Sequence, residues 1–190
     1  MIIRKDLEMK INEKGRSMIE MLGVLSIAGI LSMASITLYT KTMYQRKIGL
    51  AMGQVSDIAI NVHNAFHSRR TISIPTTKEE DVRGLIPVSM WKNNTDMEHA
   101  LGGPVKICNG SAGKEFNVKF AGLNIESCVR LATGDWGAKT VCVNKGEASD
   151  CPSENNSGTC ATDEFMSISD ATVGCSDETG NTNYVIWTFK

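Results

Sequence analysis

The chain has 190 residues and a formal net charge of −1, with 20 lysines and arginines against 21 aspartates and glutamates. That length is enough for one domain together with a membrane anchor. A net charge so close to zero offers no electrostatic basis for binding nucleic acid.

The amino-terminal 15 residues are short and charged, and they do not resemble a secretory leader. A secretory signal carries its apolar region before the cleavage site. Here the apolar block follows Gly15, so cleavage after Gly15 leaves the anchor attached to the rest of the chain. The basic residues of this segment favour the cytoplasmic side of a membrane.

An apolar stretch comes next. Met21–Thr40 comprises twenty residues without a charge, which as a helix spans the hydrocarbon core of about 30 Å. Glu20 stands immediately before this stretch, at the membrane entry, where a carboxylate costs about 2–3 kcal/mol and usually has a partner. We therefore predict a transmembrane or assembly segment over residues 18–40, with a simple signal anchor as the alternative.

The region from residue 16 to about residue 70 is predicted to be one long helix, because no proline occurs between Met1 and Ile74. Beyond the apolar stretch, the spacing of three and four residues predicts one apolar face that packs on the chain's own domain. This apolar stripe consists of Ile48, Met52, Val55, Ile58, Ala59, Val62 and Phe66.

Residues 71–190 are predicted to form a globular head. Apolar residues between turn signals predict strands and helices here, with Asn124 as the cap of the second helix. The predicted strands are Val105–Cys108, Phe116–Phe120, Thr140–Val143 and Tyr184–Phe189, and the predicted helices are Lys78–Leu85 and Asn124–Ala132. The second helix is expected to turn Ile125, Cys128, Val129 and Ala132 inward. Lys145–Thr162 is predicted to be a loop.

All six cysteines lie in the head. None forms a Cys-x-x-Cys pair, which weakens zinc-binding and thioredoxin-like interpretations. An even number beyond a membrane segment fits disulfides in an oxidising compartment, so the head is predicted to be periplasmic, extracellular or lumenal. The cysteines are Cys108, Cys128, Cys142, Cys151, Cys160 and Cys175. Of these, Cys142, Cys151 and Cys160 are close enough in sequence for a local bridge.

Few residues suggest a ligand or a reaction. His63 and His67 are four residues apart on the predicted helix, but no third metal ligand is evident. The segment Asp177–Asn183 alternates oxygen-bearing side chains, yet it lacks the acidic density of a calcium loop, and a turn is the default interpretation. Arg69 and Arg70 suit a helix end without any partner. We therefore predict no enzyme activity, no metal and no cofactor.

The amino-terminal pattern resembles the prepilin signature of type IV pilins, in which a glycine is followed at the fifth position by a glutamate and then by an uncharged helix. Gly15 and Glu20 hold those positions here. Lys114–Thr133 is similar to the strand, Gly-Leu, helix and cysteine segment of the type IVb group. Cys175, followed by a glycine-containing turn and Tyr184–Phe189, is similar to the end of those pilins.

This resemblance implies an α+β pilin fold, with a long amino-terminal helix packed on a disulfide-bonded head that contains an antiparallel sheet. It also implies that Cys128 pairs with Cys175, and it leaves the pairing of the other four cysteines open. A prepilin peptidase is expected to cut after Gly15. Arg16 then becomes the first mature residue, where the family usually has an apolar one, which leaves its methylation open. Thr37 stands where many type IVa pilins have a proline.

The function implied by the resemblance is that of a structural subunit, the major pilin of a type IVb pilus for adhesion, aggregation or mating contact. The precursor is expected in the bacterial inner membrane, with its head in the periplasm and its helix in lipid. The partners are then the prepilin peptidase, the inner-membrane assembly machinery and further copies of the chain, which form an extracellular filament. In that filament Glu20 is expected to neutralise the amino terminus of a neighbour. The alternatives are a minor pilin or type II secretion pseudopilin, and a membrane-anchored binding domain that does not polymerise.

Overall fold

A computed structural model describes residues 18–74, 82, 84–92, 96–110, 113–145, 158–162, 166–175 and 183–190. The chain divides into two compact units, Met1–Met43 and Tyr44–Lys190. Gly15, Arg16 and Cys151 lie outside the described residues, as do most of the predicted helix Lys78–Leu85 and nearly all of the Asp177–Asn183 segment.

The long helix, α1, extends over Met18–Phe66, within the predicted range of residues 16–70. Its apolar stripe is confirmed in the second unit. Met52 and Phe66 are partly buried there and pack against the core. The fully buried side chains on this face of α1 are Ile48, Ala51, Val55, Ile58, Ala59 and Val62.

The head contains one antiparallel sheet of five strands in the order β1-β2-β5-β3-β4. β5, the last strand in the chain, is therefore at the centre, and six of its seven residues are buried. The strands are β1 Val105–Asn109, β2 Phe116–Leu123, β3 Thr140–Lys145, β4 Thr159–Thr162 and β5 Asn183–Phe189.

The core lies between the sheet and the apolar stripe of α1, and aromatic side chains fill its centre. Trp187 of β5 has no exposed surface and meets Phe120 edge-on, with 5.3 Å between ring centroids. Phe116 stacks on Phe189 at 5.2 Å. These four rings come from β2 and β5, the paired strands at the middle of the sheet.

The described residues of the head include two short α-helices, α2 over Ile125–Ala132 and α3 over Ile168–Gly174. The side chain of Asn124 caps α2 by accepting a hydrogen bond from the Ser127 amide, as predicted. The last residue of α3, Gly174, lies against β3, where a Cβ atom would be only 2.1 Å from Cγ2 of Val143. The absence of a side chain at Gly174 thus permits α3 to pack closely on the sheet.

Two elements differ from the sequence predictions. The predicted loop Lys145–Thr162 ends in a strand, β4, and α3 was not predicted at all. β4 has no buried residue, so no apolar periodicity marks it, and its pairing with β3 creates it. In α2 the buried residues are Ser127, Cys128, Leu131 and Ala132, so Ile125 and Val129 face the core only in part.

Replacing Gly174 with alanine should destabilise the head by about 1–3 kcal/mol, because the new methyl group overlaps the buried Val143 side chain. Gly53→Ala is the matched control, since Gly53 is also helical but has nothing within 4 Å of an added Cβ. It should stabilise the head by about 0.5–1 kcal/mol. Thermal unfolding of the full chain in detergent measures both, and equal effects of the two variants would contradict the close packing of α3.

Candidate assembly segment and disulfide-bonded head

The part of α1 that lies in the first unit, residues 18–43, is called the assembly segment below. Its large apolar side chains from Met18 to Tyr39 are highly exposed, from 55% at Met21 to 85% at Met18. Among the described helices, only α1 is long and apolar enough to cross a membrane, with a mean hydropathy of 2.0 over its most apolar part. So much exposed apolar surface requires lipid or other helices as its surroundings.

The serine and threonine hydroxyl groups of the assembly segment all donate hydrogen bonds within the helix. Ser26 donates to the carbonyl of Leu22 at 2.7 Å, and Thr37 donates to the carbonyl of Ala34 at 2.8 Å. Such bonds remove the need for an outside partner in an apolar medium. The hydroxyls that bond in this way are those of Ser26, Ser32, Ser35, Thr37, Thr40 and Thr42.

Glu20 differs from these hydroxyl groups because its carboxylate makes no hydrogen bond within the described helix. It lies in the first turn of α1 and is exposed. Within residues 18–43 it is the only acid, and the only base is Lys41, which is 21 positions further along the helix. Since no cation of the described helix reaches it, Glu20 needs a partner from outside that helix once water is removed.

In the second unit, polar side chains fasten α1 to the beginning of α2. The Tyr44 hydroxyl donates to Oδ1 of Asn124 at 2.6 Å. Gln45 donates to Oε1 of Glu126 at 2.9 Å and accepts a hydrogen bond from Arg130. Asn124 therefore caps α2 and holds α1 with the same oxygen. The cap was recognisable from the sequence, whereas the bond from Tyr44, 80 positions away, was not.

Disulfides link separate elements of the head. Cys128 of α2 and Cys175, which follows α3, are bonded and fully buried. Cys142 and Cys160 are bonded directly opposite each other in the pairing of β3 with β4. The resemblance implied the first pair, and the second is among the pairings it left open. Cys108 is also disulfide-bonded, and Cys151 lies outside the described residues.

Two of the candidate ligand-binding residues, His63 and Asn183, make structural contacts. His63 packs edge-on against Phe116, with 5.7 Å between ring centroids. Asn183, at the end of the possible calcium segment, donates to the carbonyl of Leu123 at 3.2 Å. In the described part of the chain, no group of three or more metal-ligating side chains comes together.

The double variant Cys128→Ala/Cys175→Ala should lose more stability than Cys142→Ala/Cys160→Ala. The first bond closes 47 residues and the second 18, which correspond to about 4 and about 3 kcal/mol of loop-closure free energy. The buried Cys128 and Cys175 sulfurs add a packing loss that the exposed Cys160 does not. Urea unfolding of the full chain in detergent, followed by tryptophan fluorescence, provides the comparison. A larger loss from the β3–β4 variant would contradict this ranking.

Solved structures of two other proteins resemble this one. The type IV b pilin from Salmonella typhi matches with a TM-score of 0.56 and 13% sequence identity, over 75% of this chain and 99% of that one. TcpA, a type IV pilin from the Vibrio cholerae El Tor biotype, matches with a TM-score of 0.51 and 14% identity, over 76% and 99%. No protein-family model and no curated protein matches the chain. The long apolar helix, the antiparallel sheet and the buried disulfide confirm the predicted fold, and the chain therefore has the α+β fold of type IV pilins.

Proposed function

We propose that this chain is a structural subunit of a type IVb pilus, the major pilin of a surface filament used for adhesion, aggregation or mating contact. The observation that carries the proposal is the assembly segment, an exposed apolar helix with one acid, on a chain of pilin fold. A simple membrane anchor requires only the apolar length, and the carboxylate of Glu20 would make its insertion less favourable.

The proposed precursor has a leader of residues 1–15, a helix of residues 16–70 with its assembly region over 18–40, and a head of residues 71–190. It enters the inner membrane through that helix, with the head in the periplasm, where disulfides form. A prepilin peptidase cuts after Gly15 and releases a new α-amino group on Arg16. Inner-membrane assembly machinery then moves the subunit from lipid into the filament.

In the filament, the carboxylate of Glu20 neutralises the amino terminus of a neighbouring copy. Both charges leave the lipid–water boundary for a core of packed helices, where removing one partner of an ion pair costs about 3–5 kcal/mol. Because the serine and threonine hydroxyls of the segment bond to their own helix, this ion pair sets the register between subunits. Contacts of this head-to-tail kind do not close on themselves, so they generate an open helical fibre.

Glu20→Ala should leave membrane insertion intact or improved, because it removes a charge from the apolar segment. It should also abolish fibres, because the amino terminus of the neighbour loses its partner. Membrane fractionation measures insertion, and the yield of sheared surface fibres measures assembly. Asp57→Ala is the matched control, since Asp57 is an exposed acid of α1 in the second unit and its loss should leave the fibre yield unchanged. A normal fibre yield from Glu20→Ala would refute the register role.

Intact mass and amino-terminal sequencing of protein from membranes and from sheared surface material test the rest of the proposal. We expect a mature chain that begins at Arg16 and is abundant in the sheared fraction. The same chain confined to membranes would favour a minor pilin or secretion pseudopilin. A chain that begins at Met1 in both fractions would leave an anchored domain without a filament.

A further inference from the structure

The loop of residues 97–104, called the His99 loop below, connects α1 to the sheet. The amide of Ala100 donates to Oε1 of Gln54 on α1 at 2.9 Å. On the other side, Nε2 of His99 bonds to the carbonyl of Ala121 on β2 at 2.8 Å. The loop is closed on itself by the His99 amide, which donates to the carbonyl of Gly103 at 3.0 Å. One short loop thus holds two layers of the head together.

The contacts of His99 specify which ring nitrogen carries hydrogen. The Leu101 amide donates to Nδ1 at 3.2 Å, so Nδ1 must be an acceptor without hydrogen. Nε2 then carries the hydrogen and donates it to Ala121. The ring is only 3% exposed and stacks on Phe120 with 5.0 Å between centroids. These contacts are therefore compatible with neutral histidine in its Nε2–H tautomer.

Gly103 leaves the ring no room to move within this site. A Cβ atom there would be 2.0 Å from the Ala121 carbonyl oxygen and 2.6 Å from Nε2 of His99. The backbone of the loop therefore lies directly against the hydrogen bond that the ring makes. Because Gly103 leaves no space beside the ring here, a ring that shifts on protonation must also displace the loop backbone.

Protonation of His99 would remove this arrangement. A hydrogen on Nδ1 would point at the Leu101 N–H, so that two donors face each other. Burial lowers the pKa of His99, against smaller opposing effects from the Ala121 carbonyl and Glu98. Since the folded form binds its proton less readily than the unfolded form, the stabilisation is complete above about pH 6.5 and is lost as the pH falls through the lowered pKa.

The charged groups around the loop do not offer the protonated ring a partner. Glu98 is adjacent in sequence, but its side chain pairs with Lys92. On α1, Gln54 is uncharged, and Asp57 one turn later is exposed. On β2, Lys119 neighbours Phe120 and so faces the opposite side of the sheet, where its amine lies over the ring of Tyr184. Among the described contacts, none joins a carboxylate to the His99 ring.

We propose that His99 is an acid-sensitive latch, which holds the His99 loop on the sheet when neutral and releases it when protonated. The same loop supplies Met97, Glu98 and Pro104 to an open cleft of about 370 Å³ whose other wall includes Val105 and Lys106 of β1. Release would therefore reshape this cleft. The latch belongs to the head and does not depend on whether the chain forms a filament.

The direct test is an NMR titration of the full chain in detergent, labelled at its three histidines. We expect the His99 ring as the Nε2–H tautomer at neutral pH and a His99 pKa below about 6.5. Protection of the Leu101 amide from hydrogen exchange should be lost over the same pH range. A His99 pKa at or above about 6.5, or Leu101 protection unchanged through the titration, would overturn the proposal.

His99→Gln provides a second test, because glutamine retains a donor and an acceptor but does not titrate. Between about pH 7.5 and about pH 5, on either side of the histidine reference pKa, the variant should lose less thermal stability than the original chain. His67→Gln removes an exposed histidine and should retain the original acid dependence. Full acid dependence in His99→Gln would overturn the latch. If that variant does not fold, the titration of the original chain decides.

Discussion

Burial of the apolar stripe of α1 against the sheet is the interaction on which the head depends. From Val55 to Val62 the stripe shares one continuous core with Val118 of β2 and Trp187 of β5. The sheet has no other long helix among the described residues to cover that face. The amino-terminal part of the same helix shows the opposite behaviour, with apolar side chains that are largely exposed. One helix therefore has two roles. Its second half contributes apolar side chains to the core of the head, and its first half exposes apolar side chains that need lipid or other helices around them.

The covalent links reinforce the parts of the head that non-covalent packing holds least well. β4 is a short edge strand without a buried residue, and a strand of that kind buries too little apolar surface to stay paired by itself. Its bond from Cys160 to Cys142 joins it to β3 at the middle of their pairing. Helix α3 has only seven residues, and the bond from Cys175 to Cys128 fastens it to α2. Both bonds suit the oxidising compartment that we propose for the head.

Polar side chains find their hydrogen-bond partners in different places in the two units. In the head, Asn124 and His99 each use their side-chain atoms to join separate elements, and the surrounding backbone completes their hydrogen bonds. In the assembly segment, the serine and threonine hydroxyls donate to carbonyls of their own helix, and the carboxylate of Glu20 has no such bond. This contrast supports a segment in which the carboxylate is neutralised by another molecule. It also separates the role in assembly that we propose for Glu20 from the acid response of the head that we propose for His99.

The sequence by itself determined the elements whose burial follows a local period. The assembly segment, the apolar stripe of α1, the cap at Asn124, and strands β1, β2 and β5 were all recognisable, because apolar spacing and capping residues act over a few positions. Only the tertiary structure decided the existence of β4, the central place of β5 in the sheet, and the bond between Cys142 and Cys160. It likewise decided the partners of Tyr44 and His99, which are 80 and 22 positions away. These features arise from contacts between distant parts of the chain, and no local pattern in the sequence records them.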